Sequence, residues 1–195
     1  MQTDAPTVAV AQMNGRGDWH ANRAIVDRLV AEAASGGACL VVLPENLLAM
    51  PADPRALLTM AEHDTPAAID ALCDLARAHA IWVVAGTLPV RPDDAGADRR
   101  VMSRSLVIDD RGEVVAHYDK IHLFDVVLPD GESYRESATF IAGDTPVLVD
   151  TPAGRLGMAT CFDLRFPELF ARLAGQGADW FCLRSEEHTS ELQSL

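Results

Sequence analysis

Two short runs decide what this chain can fold into. Ala38-Cys39-Leu40-Val41-Val42-Leu43 and Ile81-Trp82-Val83-Val84-Ala85 are apolar at every position. A strand with one wet face alternates apolar and polar residues, so an unbroken run of this length reads as a strand covered on both faces. Between and before these runs the period changes. Ala21 to Ala34 places Ile25, Val26, Leu29, Val30 and Ala33 on one helical face, and Ser35-Gly36-Gly37 ends it. A second helix is expected to open at Pro66, behind Asp64 or Thr65 as cap, and to run through Ile69, Leu72, Cys73, Leu75 and Ala76. With Thr7 to Gln12 as a first strand, the order strand, helix, strand, helix, strand gives an α/β fold.

The second half adds strands of another kind. Val101 to Ile108 and Glu113 to Tyr118 flank Asp109-Asp110-Arg111-Gly112, a hairpin-turn composition, so the middle of the sheet is expected to be antiparallel. Val147 to Val149 and Leu156 to Thr160 surround a Pro152-Ala153-Gly154 turn. A helix with proline in its first turn follows at Pro167 to Ala174, and a strand at Ala178 to Leu183. Arg91 to Asp98 reads as a surface loop rather than a linker. At 195 residues with no internal repeat, one domain is expected.

Composition narrows the partners. Sixteen basic against twenty-nine acidic residues give a net charge of −13, which repels nucleic acid and anionic membrane on average and points to a small molecule as partner. No apolar segment approaches the length of a membrane span, and the first residues lack the basic and apolar regions of a signal peptide. Cys39, Cys73, Cys161 and Cys182 form no C-x-x-C pair. They read as reduced thiols in a cytoplasmic protein, with neither a zinc site nor a disulfide framework, and no cofactor or metal is expected.

Arg184 to Leu195 breaks from the strand before it and has no periodicity of either kind. One codon choice for Arg184 to Ser194 reads as a common sequencing-library adapter in frame. Residues 184–195 are therefore expected to be a non-native tail on a domain of residues 1–183 that is incomplete at its C-terminus. The literal chain is accordingly expected to be a weak enzyme or none.

Three positions stand out chemically. Cys161 follows a buried strand and precedes a helix, an elbow that can hold a nucleophile out of the sheet near backbone N–H groups; the plainer reading is a buried structural thiol. Glu45 ends a fully apolar strand, where α/β sheets place their chemistry; the plainer reading is a cap or a solvated loop acid. Lys120, after the second hairpin strand, sits among apolar and aromatic neighbours; alone it reads as a surface lysine. His122 could partner a cysteine but reads first as structural. Arg165 and Glu168 are spaced for a local ion pair, Asp119 and Asp125 read as loop acids bonding to backbone, and Trp19, Trp82 and Trp180 as packing.

Together, Leu43-Pro44-Glu45, Asp119-Lys120-Ile121-His122-Leu123-Phe124-Asp125 and Cys161-Phe162-Asp163-Leu164-Arg165-Phe166-Pro167-Glu168 resemble the three ordered signature segments of the nitrilase (carbon-nitrogen hydrolase) superfamily. The resemblance runs from about Val8 to Leu183 and is nearest the branch of deaminated glutathione amidase and omega-amidase. It implies an α-β-β-α sandwich and hydrolysis of a small-molecule amide, with homodimers common in the full-length form. It also implies Glu45 as general base, Lys120 as the cation facing the oxyanion, Cys161 as nucleophile and Glu136 as the acid supporting the lysine. The Phe162 N–H is expected to be a further oxyanion donor. A nitrilase or N-carbamoyl hydrolase shares the same residue set, and an inactive binding protein could keep the same fold.

Overall fold

The computed structural model describes residues 5–49, 51, 53, 55–128 and 131–185. In chain order the elements are β1 (Val8–Val10), α1 (Trp19–Ser35), β2 (Leu40–Val42), α2 (Ala56–His79), β3 (Trp82–Val90), β4 (Val101–Ile108), β5 (Val114–Asp119), β6 (Asp125–Val127), β7 (Ser133–Arg135), β8 (Phe140–Ile141), β9 (Leu148–Thr151), β10 (Gly154–Thr160), α3 (Pro167–Gly175) and β11 (Trp180–Arg184). One sheet runs β1-β2-β3-β4-β5, with β8 also paired to β4; a second runs β11-β10-β9, and β6 and β7 form a small hairpin. The first three strands are parallel, whereas β3-β4 and β4-β5 are antiparallel, as the hairpin composition requires.

The unbroken apolar runs serve two cores at once. In β2 and the residue after it, Val41 and Leu43 face α1 and α2, while Leu40 and Val42 face the second sheet; Val83 and Val84 divide in the same way on β3. Leu156 and Met158 of β10 meet Leu40, Val42, Val84, Val107 and Tyr118 between the sheets, and Ala159 faces Leu169 and Leu173 of α3. The layers are therefore helices, sheet, sheet, helix, an α-β-β-α sandwich. Leu72 is fully buried against the first sheet, and burying a side chain of this size contributes about 1.5–3 kcal/mol.

Two expectations about elements change. α2 begins ten residues before Pro66, which lies inside it rather than at its start. A proline there removes one backbone hydrogen bond, but Leu57, Leu58, Met60 and Ala61 bury their side chains on the preceding turns and offset that loss. Thr65 does not cap; its hydroxyl donates to the Pro89 carbonyl at 2.7 Å. At the other end, β11 runs one residue past Leu183: Arg184 pairs in register with Thr160 and its side chain is buried. Ser185 is also described, its hydroxyl 3.5 Å from Cys161 Sγ, and residues 186–195 of the expected tail lie outside the described residues.

Candidate active site

The two sheets bring their strand ends together at one edge of the sandwich, and three separate devices place the candidate side chains. Cys161 follows β10 and opens a 3₁₀ turn, Cys161–Arg165, with its own backbone in the left-handed region at φ 48°. That conformation is uncommon outside glycine. It is held by a reciprocal cap, in which the Thr160 side chain accepts from the Asp163 N–H while Thr160 N donates to Asp163 Oδ2 at 2.8 Å.

Asp163 is fully buried and ties that elbow to the lysine segment. Its Oδ2 also accepts from the Tyr118 hydroxyl at 2.7 Å; its Oδ1 accepts from His122 N at 3.1 Å and lies 2.7 Å from His122 Nδ1. His122 stacks on Phe166 with ring centroids 3.7 Å apart. This gives His122 a structural position, as its plainer reading held. Phe162 contacts Phe124 and Phe166 edge to face, so an aromatic wall stands beside the nucleophile.

Lys120 follows β5, its N–H bonded to Ser103 O and its carbonyl to Gly143 N. The ammonium is 2% exposed and donates to Glu136 Oε1 at 2.9 Å and to Glu45 Oε1 at 3.4 Å. Glu136 uses its other oxygen to accept from Phe124 N at 2.6 Å, which fixes the carboxylate. Burial would lower the Lys120 pKa, but the charges of Glu45, Glu136 and Cys161 outweigh it and hold the ammonium above its ordinary range. For Glu45 burial is the largest influence, and it raises the carboxyl despite Lys120. Burial, followed by the charge of Glu45, pushes the Cys161 thiol up to about 11, against the pull of Lys120. The set is therefore a buried thiol that stays protonated at neutral pH, a carboxyl with raised proton affinity and a firmly charged ammonium.

Glu45 is placed by residues that sequence reasoning did not single out. Gly86 lies so close under the Pro44 carbonyl that a Cβ there would sit 1.3 Å from its oxygen. An isolated glycine after an apolar run is the signal that could have found it. Beside it, the buried Thr87 hydroxyl accepts from Asn46 N at 3.0 Å. Asp119 bonds Arg104 through both oxygens, at 2.7 and 2.8 Å, rather than a backbone group. Asp125 does accept from the Ser137 N–H. Arg165 and Glu168 are exposed and make no ion pair among the described residues. A cleft of about 1000 Å³ opens between β1, the end of β2 and β11; it reaches Glu45 but is lined by neither Cys161 nor Lys120.

Comparison with known proteins bears on the family and the fold. The carbon-nitrogen hydrolase family matches residues 7–194, a span that includes most of the stretch set apart as a tail. A deaminated glutathione amidase from Yersinia enterocolitica is 35% identical over 173 residues, covering 88% of this chain and 59% of that protein. A chloroplastic omega-amidase from Arabidopsis thaliana is 33% identical over 180 residues, covering 90% and 47%. Among solved structures, the C. elegans NitFhit protein superposes with a TM-score of 0.84 at 30% identity, covering 93% of this chain and 44% of that one. An amidase from Nesterenkonia sp. AN1, in a mutant form carrying acrylamide added at its active-site cysteine, gives 0.77 at 25% identity, covering 94% and 69%. The chain thus spans roughly half to three-fifths of the curated relatives it matches. On the breadth of the family match and the fold, this chain belongs to the carbon-nitrogen hydrolase family of the nitrilase superfamily.

Proposed function

We propose that the chain carries the site of an amidase that hydrolyses a small-molecule amide through a thioester on Cys161. The observation that carries this reading is the Lys120 ammonium set between the carboxylates of Glu45 and Glu136, in a charge network that includes the Cys161 thiol. A thiol held near 11 is not a thiolate at neutral pH, so its attack on an amide carbon needs a base beside it. Glu136, the nearer carboxylate, balances the Lys120 charge. Glu45, with its raised proton affinity, takes the thiol proton as the C–S bond forms. The developing oxyanion faces Lys120 and the Phe162 N–H. Breaking the C–N bond then sends the Glu45 proton to the departing ammonia. Glu45 next activates water, and hydrolysis of the thioester releases a carboxylate and the free thiol.

The names of the relatives suggest the substrate: deaminated glutathione, or the omega-amide of a 2-oxo acid. The acrylamide addition in the Nesterenkonia amidase supports a cysteine as the reacting group. The four cysteines, none of them in a disulfide among the described residues, support a reducing, cytoplasmic compartment, and the family resemblance supports a homodimer of the full-length form. The proposal that residues 184–195 are foreign to the domain is supported by their sequence pattern. Sequencing the gene across the Leu183 codon tests that origin.

The function is tested by ammonia release from amides, nitriles and N-carbamoyl amines. The assay uses this chain alongside a version continued with the sequence found downstream. Release from omega-amides of 2-oxo acids or from deaminated glutathione by the longer version, abolished in Cys161→Ala, is expected. A preference for nitriles or N-carbamoyl amines would move the reading to another branch.

A further inference from the structure

We propose that Thr87, carried on a bulge in β3, is a positioning residue that seats Glu45 by gripping the strained residue that follows it. This rests on the reading of Glu45 as base. From Ala85 to Leu88, β3 advances three residues while β4 advances two, from Leu106 to Arg104, so Gly86 and Thr87 accommodate one extra residue. Bulges re-aim side chains, and they concentrate beside active sites. Here the bulge delivers two groups to the Glu45 turn. The Thr87 carbonyl accepts from Leu47 N at 3.1 Å, and the Thr87 hydroxyl accepts from Asn46 N at 3.0 Å and lies 3.4 Å from Asn46 Oδ1.

Asn46 needs that grip. Its φ of 51° lies in the left-handed region, which asparagine tolerates better than other residues with a side chain but which still depends on the bonds that hold the turn. On the chain's other side Leu43 N is tied to Val84 O at 2.9 Å, and the Pro44 carbonyl rests where a side chain on Gly86 would stand. Glu45 is thus clamped between a fixed Leu43 and a fixed Asn46, with its carboxyl buried and paired with Lys120 at the margin of the adjoining cleft. Without the Thr87 hydroxyl, the Asn46 N–H loses its acceptor and the turn can relax toward the cleft, where water reaches the carboxyl.

The test is the titration of the Glu45 carboxyl by carbon-13 NMR on the 195-residue chain, assigned by its absence in Glu45→Gln. It is run for the wild type and for Thr87→Ser, Thr87→Val and Thr87→Ala. Thr87→Ser keeps the hydroxyl and should titrate as the wild type does, above the ordinary glutamate value. Thr87→Val and Thr87→Ala should both fall toward the ordinary value of about 4.3; the alanine form serves if valine does not fold. In the version of the enzyme that turns over, the same two variants should lower kcat about tenfold or more with KM little changed, and serine should restore it. Four coincident titrations would overturn the seating role. Titrations that split as stated, with no amide turnover in the version continued past Leu183, would uphold the seating of Glu45 and overturn the amidase reading instead.

Discussion

The strands that carry the candidate nucleophile and base end in the same kind of backbone, yet they are held in opposite ways. At the end of β10 the strained residue is Cys161 itself, φ 48°, and its grip is local: Thr160 and Asp163 cap each other across the turn. Past the end of β2 the strained residue is Asn46, φ 51°, the neighbour of Glu45, and its grip is Thr87, 41 residues away on another strand. A nucleophile has to present one atom at one angle, so strain at the reacting residue is useful. A base has to keep a buried carboxyl beside a buried ammonium, and a neighbour held from the next strand does that without burdening the base. The nucleophile end should therefore tolerate changes elsewhere in the sheet, whereas the base end should depend on β3.

The largest effect should come from the nucleophile: Cys161→Ala is expected to abolish turnover while the far-ultraviolet circular dichroism stays unchanged, and Cys39→Ala and Cys73→Ala should leave activity intact. Glu45→Gln keeps the shape and removes the base, and should lower kcat by about 10²–10⁴-fold; Lys120→Ala should cost about 10²–10³-fold. In combination with Cys161→Ala these losses should not add, because the three act as a unit. Next come losses of stability. Asp163→Asn leaves the buried donors of Thr160 and Tyr118 and the part-buried His122 N–H with too few acceptors and should cost about 2–5 kcal/mol in urea unfolding. Gly86→Ala, at the base end, should cost about 3 kcal/mol or more, because the obstacle is the Pro44 backbone. A milder signature is pH. Burial raises the Glu45 pKa, so the base keeps its proton to a higher pH than an exposed glutamate does. The acid limb of kcat/KM should then lie above about 4.3, and a limb at or below that value would contradict the burial. The smallest effect belongs to a site remote from both ends: Arg28→Ala breaks an exposed ion pair with Glu32 and should change stability by less than about 0.5 kcal/mol.

The same contrast explains what could be read from the sequence. The double burial of β2 was legible because every position from Ala38 to Leu43 is apolar, and the elbow was legible because Cys161 stands between a buried strand and the helix that opens at Pro167. The hairpin of β4 and β5 was announced by Asp109 to Gly112, where Gly112 indeed has φ 75° and Asp109 accepts from two backbone N–H groups. The base end was half legible. Glu45 stood out at the end of an apolar run, but the bond from Asn46 to Thr87 spans 41 residues and leaves no local pattern. The start of α2 was misplaced for a related reason. Local rules put Pro66 at a helix start, and the packing of Leu57, Leu58 and Met60 against the sheet overrode them. The Arg104–Asp119 pair across β4 and β5 was hidden likewise, since it depends on their register.

Of the four cysteines, one is expected to react. The decisive measurement is mass spectrometry of the full-length version mixed with a slowly hydrolysed amide, followed by peptide mapping. An acyl adduct confined to the peptide carrying Cys161, absent in Cys161→Ala, is the expected result. An adduct on Cys39, Cys73 or Cys182, or amide turnover surviving in Cys161→Ala, would contradict it.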